Sequence, residues 1–288
     1  MNGGLIAGTV VELLRRAHSR LPSDVVSVLE AAAERADGRA RLHLRMILDD
    51  LRASAEEAVP MCEDTGTPVF YVDLGRFPLP ASDIAAAIVD GVRRATDEVP
   101  LRSNAVHPVN RHDAGDNTGR WTPPVHILPV EGDGLEITVL AKGAGSENMS
   151  ALAILPPVAG VEGIKSFVLD TVVAAGGNPC PPVIVGVGVG GTSDVAMALA
   201  KRALLRRIDT FSEDPVISQI EADLRRALWD LGFGPMGLSG TPTVIGVKVE
   251  HAHSHPASLA VGVNIQCWAA RRASARLSPD GEIRFLEV

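Results

Sequence analysis

Gly176-Gly177-Asn178-Pro179-Cys180-Pro181-Pro182-Val183-Ile184-Val185-Gly186-Val187-Gly188-Val189-Gly190-Gly191-Thr192-Ser193-Asp194 is the stretch from which the fold class can be read. Residues 183–189 are valine and isoleucine interrupted only by glycine, with prolines before and glycines after. That is the pattern of a short buried strand. Thr192-Ser193-Asp194 then offers capping side chains for a helix over residues 195–205. Upstream, a helix over 161–174 ends at Gly176-Gly177, a C-cap signal. Downstream, a helix over 214–231 precedes strands over 242–249, 258–267 and 283–288.

The N-terminal part continues the alternation. Residues 8–19, 25–35 and 39–58 carry apolar residues at helical spacing, with Pro60 closing the last, and read as a structural helical layer without chemistry. Residues 67–74 are a β-branched and aromatic strand, and Ser82 is placed to cap the helix that follows. Residues 125–129 and 135–141 read as two strands joined by a Gly-Asp-Gly turn, a hairpin. Residues 100–124 between them are polar and irregular, a length that marks function or disorder. The fold class expected is α/β: an N-terminal helical layer (1–60) followed by a mixed sheet flanked by helices (61–288), as one domain of 288 residues.

Composition narrows the function. With 27 basic against 35 acidic residues the net charge is −8, which excludes a broad nucleic-acid footprint. Aromatics are 3%, too few for base-stacking platforms. Residues 1–10 lack the basic start of a secretory signal, and no apolar run reaches the roughly 18 residues of a membrane span. Three widely spaced cysteines do not make a disulfide framework, so a reducing cytoplasm is expected.

Those three cysteines are the first candidate site. Cys62 sits in the turn-forming Met61-Cys62-Glu63-Asp64-Thr65-Gly66-Thr67, and Cys267 ends the apolar run 259–267. Cys180 lies between prolines that hold the backbone extended and remove amide donors, which suits a displayed thiolate. A buried free cysteine as a small hydrophobe is the plain alternative for Cys267. Three thiolates leave one iron of a four-iron cluster without a protein thiolate, an open Lewis-acid position. Zinc is the other metal reading, with a fourth ligand from His251, His253 or His255.

Two further patterns compete. Gly186-Val187-Gly188-Val189-Gly190-Gly191 fits G-x-G-x-x-G after a strand, with Asp209 as the acidic partner of a dinucleotide site. Its glycines begin inside the strand, which equally signals close packing against a neighbour. Arg102, Arg111 and Lys142 are loop-borne cations in an acidic protein, suited either to solvent or to gripping carboxylates.

Together these residues resemble the iron–sulfur hydro-lyases of the class I fumarase and tartrate dehydratase family. The resemblance runs through Cys62-Glu63-Asp64-Thr65-Gly66-Thr67, Arg102-Ser103-Asn104 with Gly115-Asp116-Asn117-Thr118, and Lys142-Gly143-Ala144-Gly145-Ser146-Glu147-Asn148. It continues through Cys180-Pro181-Pro182 with Gly190-Gly191-Thr192, Gly234-Pro235-Met236-Gly237, and His255-Pro256-Ala257-Ser258-Leu259 leading to Cys267. It implies a fold like the N-terminal domain of class I fumarases, and a [4Fe–4S] cluster on Cys62, Cys180 and Cys267. Asp64 and His255 are then expected in proton handling, and Glu63, Arg102, Lys142 and Gly145 in substrate binding. Glu63 stands where the family usually has glutamine.

Single-chain members of the family carry a further C-terminal domain. This chain therefore resembles the α subunit of the two-subunit form, its active site shared with a β subunit in a homo- or hetero-oligomer. The implied reaction is reversible hydration of a small dicarboxylate, with fumarate/malate placed first and tartrate/oxaloacetate second. A nucleotide-binding or zinc-binding non-catalytic module is the reading from another class.

Overall fold

The computed structural model describes residues 3–287. In chain order its helices are α1 (Gly3–Ser19), α2 (Ser23–Arg35), α3 (Gly38–Glu57), α4 (Ala81–Glu98), α5 (Ala144–Glu147), α6 (Gly160–Ala175), α7 (Ser193–Ala203) and α8 (Pro215–Trp229). Its strands are β1 (Thr67–Arg76), β2 (Val125–Asp133), β3 (Leu135–Lys142), β4 (Ala151–Leu155), β5 (Val183–Val189), β6 (Val244–His251), β7 (Leu259–Gln266), β8 (Arg272–Leu277) and β9 (Ile283–Leu286). The mixed α/β class is as expected. Tertiary contacts divide the chain into two units, one of Met1–Ser23, Asp50–Gly143 and Arg271–Val288, the other of Asp24–Asp49 and Ala144–Ala270. Among the described residues no helix is long and apolar enough to cross a membrane.

The first unit is a five-stranded sheet ordered β2-β1-β3-β8-β9, covered by α1 and α4. Ile6, Val10, Leu13 and Leu14 of α1 pack with Ile84, Ile88 and Val92 of α4 on Phe70, Val72, Ile137 and Val139 of the sheet. The expected hairpin does not form. β1 lies between β2 and β3, parallel to β2 and antiparallel to β3, so the Gly-Asp-Gly segment bends the chain past β1 rather than closing a ladder. Helix α4 starts at Ala81 with Pro80 as its cap residue, so Ser82 is inside the helix and its hydroxyl bonds Asp83 instead. β8, which the sequence reading left unassigned, pairs with β3.

The second unit is a four-stranded sheet ordered β4-β7-β5-β6. Its core joins Val185, Val187, Val247, Val263 and Ile265 to Ile164, Val168 and Val172 of α6 and Ile220, Leu224 and Leu228 of α8. Residues alternate faces along a strand, so Gly186 and Gly188 point away from that core. There α7 lies on them. A Cβ at Gly186 would fall 2.1 Å from the Ala200 carbonyl oxygen, one at Gly188 2.0 Å from that of Ala196, and one at Gly262 on β7 2.7 Å from the same oxygen. The first two glycines of the G-x-G-x-x-G match are thus filled by helix backbone and the last, Gly191, by the Val195 side chain, while Asp209 is held by Arg207 at 2.7 and 3.0 Å. Thr192 is the cap residue of α7 but makes no side-chain cap bond, its hydroxyl donating to Asp194 at 2.5 Å instead, whereas Asp214 accepts from the amides of Val216 and Ile217 at the start of α8. The one-turn α5 stands within the glycine-rich segment 142–148, where a loop is expected, and β4 is a further strand beyond those expected from the sequence.

One buried residue of α1 bears directly on the cysteine loop. His18 is 2% exposed, its Nδ1 2.8 Å from the Leu14 carbonyl and its Nε2 2.9 Å from that of Thr65. Its own carbonyl accepts the Met61 amide at 3.0 Å. Burial first, then the positive charge of Arg271, push its pKa from 6.5 down to about 4. The neutral ring carries one N–H and so donates to only one of the two carbonyls.

Two outcomes follow from these contacts. Gly188→Ala forces a methyl into the Ala196 carbonyl and should lower stability by about 2–4 kcal/mol. Gly8→Ala, with nothing within 4 Å of its Cβ on α1, should raise it by about 0.5–1 kcal/mol. Thermal unfolding checks both, and a tolerated Gly188→Ala contradicts the packing. For His18 the unfolded chain takes up the proton near pH 6.5 and the folded chain only near 4. The unfolded state therefore binds more protons in between, and stability falls by up to about 3 kcal/mol as pH drops through that window. The pH slope of the melting temperature should shrink in His18→Gln, and an unchanged slope would contradict a neutral buried His18.

Candidate active site

In the first unit, one network ties the Cys62 loop to the irregular segment after α4. The Thr65 hydroxyl accepts from the Arg102 amide at 3.1 Å, and the Asn104 side chain donates to that hydroxyl and to the Gly66 carbonyl at 3.3 Å each. Asn117 closes the frame. Its Oδ1 accepts from the Asn104 amide at 2.8 Å, and its Nδ2 donates to the Arg102 carbonyl at 3.0 Å and the Thr96 hydroxyl at 3.1 Å. Asn117 sits at φ +58°, a left-handed conformation that asparagine tolerates. Residues 102–117 are therefore ordered by buried polar side chains.

This frame brings together Cys62, Glu63, Asp64 and Arg102. Cys62 and Asp64 are half-buried, Glu63 and Arg102 exposed. The Asp64 Oδ1 accepts from the Gly66 amide at 2.9 Å. Glu63 and Arg102 form an ion pair. Gly66, at φ +73°, lies so close to the Lys142 carbonyl (2.6 Å from the position of a Cβ) that only glycine fits. Lys142 itself is buried, at 3% exposure. Beneath the loop lies Arg271, 1% exposed, whose Nη1 donates to the Asp64 carbonyl. Arg111 lies on an exposed turn at φ +59°, its amide bonded to the His107 carbonyl.

In the second unit, strand pairing does the positioning. β5 and β7 are antiparallel, with Ile184 opposite Gln266 and Val189 opposite Val261. The start of β5 and the end of β7 therefore share one end of the sheet, and with them Cys180 and Cys267. The Trp268 amide donates to the Cys180 carbonyl at 3.3 Å. Cys180 is at φ +53°, and Pro181 accepts from the Met236 amide at 2.7 Å. Gly177 and Gly237 meet backbone to backbone at that turn, about 3 Å from each other's absent Cβ. The Cys267 sulfur is 3.8 Å from Gln266 Nε2 and 3.7 Å from the Ala269 carbonyl. Gly145 reaches the same end, where a Cβ would lie 3.2 Å from the Asn178 carbonyl. Glu147, two residues on, is bound by Lys201 and by Asn264 of β7 (3.0 Å).

The histidines go elsewhere. His251, His253 and His255 are exposed and lie where β6 ends and β7 begins, at the opposite end of the sheet from Cys267. The eight residues of β7 set these ends roughly 23 Å apart. His255 Nδ1 accepts from the Ala257 amide at 3.1 Å, and His251 faces Asp214 at 3.9 Å. Within this unit Cys180, Cys267 and Gly145 are brought together and His255 is not.

All three cysteines are outside disulfides and half-buried. Among the described residues no set of three or more His, Cys, Asp or Glu side chains stands at metal-binding spacing. Each sulfur is by itself a soft donor suited to a thiolate-bound group: Cys62 follows Met61, whose amide bonds the His18 carbonyl, Cys180 lies beside the Gly177–Gly237 contact, and Cys267 lies just beyond β7. Sequence reasoning missed His18 and Arg271. The signals were faint: a histidine one residue beyond the apolar face of α1, and a doubled arginine inside Trp268-Ala269-Ala270-Arg271-Arg272-Ala273-Ser274-Ala275.

The family model described as Fumarate hydratase (Fumerase) matches residues 7–276. A Methanocaldococcus jannaschii protein named "Putative L(+)-tartrate dehydratase subunit alpha" is 45% identical over 284 residues, 96% of this chain and 99% of that protein. The L(+)-tartrate dehydratase subunit alpha of Escherichia coli strain UTI89 is 35% identical over 266 residues, 91% of this chain and 87% of its own length. That of Shigella boydii is 34% identical over the same shares. Aligned along nearly its whole length, the chain belongs to the fumarate hydratase (Fumerase) family of hydro-lyases.

Proposed function

We propose that this chain is the α subunit of an L(+)-tartrate dehydratase. On this reading Cys62, Cys180 and Cys267 hold a [4Fe–4S] cluster, and a separate β subunit completes the substrate pocket. The observation that carries it is the antiparallel pairing of β5 with β7, which sets Cys180, Cys267 and Gly145 at one end of a sheet. In the other unit a hydrogen-bonded frame groups Cys62, Asp64 and Arg102. The relatives' names support tartrate over fumarate, reversing the order expected from sequence, and their designation as alpha subunits supports a partner chain.

Three thiolates leave a cluster iron for a substrate hydroxyl, so the bound cluster supplies Lewis acidity. The chain's own residues do the rest. Arg102 offers a planar fork to a substrate carboxylate. Glu63 is already paired with one nitrogen of that fork, so substrate must displace an exposed ion pair, which costs little. On this reading Asp64, its Oδ1 accepting from the Gly66 amide, accepts a hydrogen bond from the substrate hydroxyl and, when protonated, supplies the proton with which that hydroxyl leaves as water. On this reading Gly145 lets backbone approach the substrate, at a position where a Cβ would crowd the Asn178 carbonyl at 3.2 Å. The proton on the neighbouring carbon is assigned to a base on the β subunit. His255 enters only if another chain or the second unit's surroundings bring it to the substrate.

The αβ complex purified without oxygen should dehydrate L(+)-tartrate faster than it hydrates fumarate. Cys180→Ser should bind little iron and lose activity while its circular dichroism stays that of the wild type. An active, iron-replete Cys180→Ser complex, or a wild-type complex inactive on both acids after reconstitution, overturns the reading.

A further inference from the structure

Arg271 is the largest of the fully buried side chains, at 1% exposure. A guanidinium is always charged, and burying one is costly unless its donors are met. Here they are met incompletely. Nη1 donates to the Asp64 carbonyl, while Nε has no hydrogen-bond partner among the described residues. Holding one backbone carbonyl does not require a permanent cation, so the charge and the fork need another explanation.

The surroundings supply it. A Cβ at Gly143 would lie 3.3 Å from Arg271 Nη2 and 3.1 Å from Asp64 Oδ2. The guanidinium and the Asp64 carboxylate thus come to the same bare stretch of backbone. Asp64 is held at two points, its carbonyl by Arg271 and its Oδ1 by the Gly66 amide, and a side chain at position 143 would crowd its Oδ2. The Arg271 carbonyl accepts the Ala141 amide at 3.0 Å, which anchors the arginine to β3. We propose that Arg271 is a positioning residue: from inside the protein it sets the Cys62–Gly66 turn so that the Asp64 carboxylate meets the substrate in one orientation. This rests on the assignment of Asp64 to the substrate made above.

The test uses the reconstituted αβ complex with Arg271→Met and Arg271→Lys. Arg271→Met should lose about 10²-fold in kcat, the scale of an ångström's misplacement of a reacting group, with KM changed less than about threefold. Arg271→Lys, which keeps the charge but not the fork, should recover about a tenth of that loss or more. Hydrogen exchange of the Cys62–Gly66 amides should quicken in both, and iron content should stay at the wild-type level. Wild-type kcat in either variant, or a loss seen only in KM or in the folded fraction, overturns the proposal. Should Arg271→Met not fold, Arg271→Lys decides by the same readouts. A wild-type complex inactive on every dicarboxylate would sink the hydro-lyase reading alone. The exchange rates would then still decide whether Arg271 holds the turn, and unchanged rates would overturn it.

Discussion

The antiparallel register of β5 against β7 is the constraint on which the second unit depends. Once Ile184 faces Gln266, the residues before β5 and after β7 must meet, although 87 positions separate Cys180 from Cys267. Glycine then lets the paired strands be covered. Gly186, Gly188 and Gly262 let α7 settle onto both strands at a distance no side chain allows. The stretch that looked like a phosphate loop is thus a packing surface, and its effect on chemistry is indirect: it keeps two thiols at one sheet end.

The first unit solves its problem with polar side chains. Its Cys62 turn has no strand register to fix it. Instead Thr65, Asn104 and Asn117 satisfy one another and the backbone around them, and His18 and Arg271 support the turn from the core. Such a network is worth keeping only when complete, because each unmet buried donor costs about 1–3 kcal/mol. Arg271 Nε and, beside it, Arg272 Nε and Nη1 are donors that this unit leaves unmet among the described residues.

Much of this was legible in the sequence. Helical spacing and β-branched runs located most elements to within a few residues, because burial imposes their periods directly. The β2–β3 hairpin was misread because a Gly-Asp-Gly turn looks the same whether or not a third strand enters between its arms. Cys62, Asp64 and Arg102 could be grouped only through resemblance, since the hydrogen bonds that join residues 62–66 to 102–117 leave no periodic trace. His255 is the converse case: its nearness in sequence to Cys267 is undone by the length of the strand that the sequence itself leads one to expect between them. His18 and Arg271 were missed because a buried titratable residue is indistinguishable in sequence from a solvated one.

The central claim is that three thiolates hold a cluster with one iron open to substrate. The most direct test is the Mössbauer spectrum of the αβ complex reconstituted with isotopically enriched iron, recorded with and without L(+)-tartrate. The account predicts that one iron of about four changes its signal when tartrate is added, the other three staying as they were. A spectrum untouched by tartrate, or a complex that takes up no iron, would contradict it.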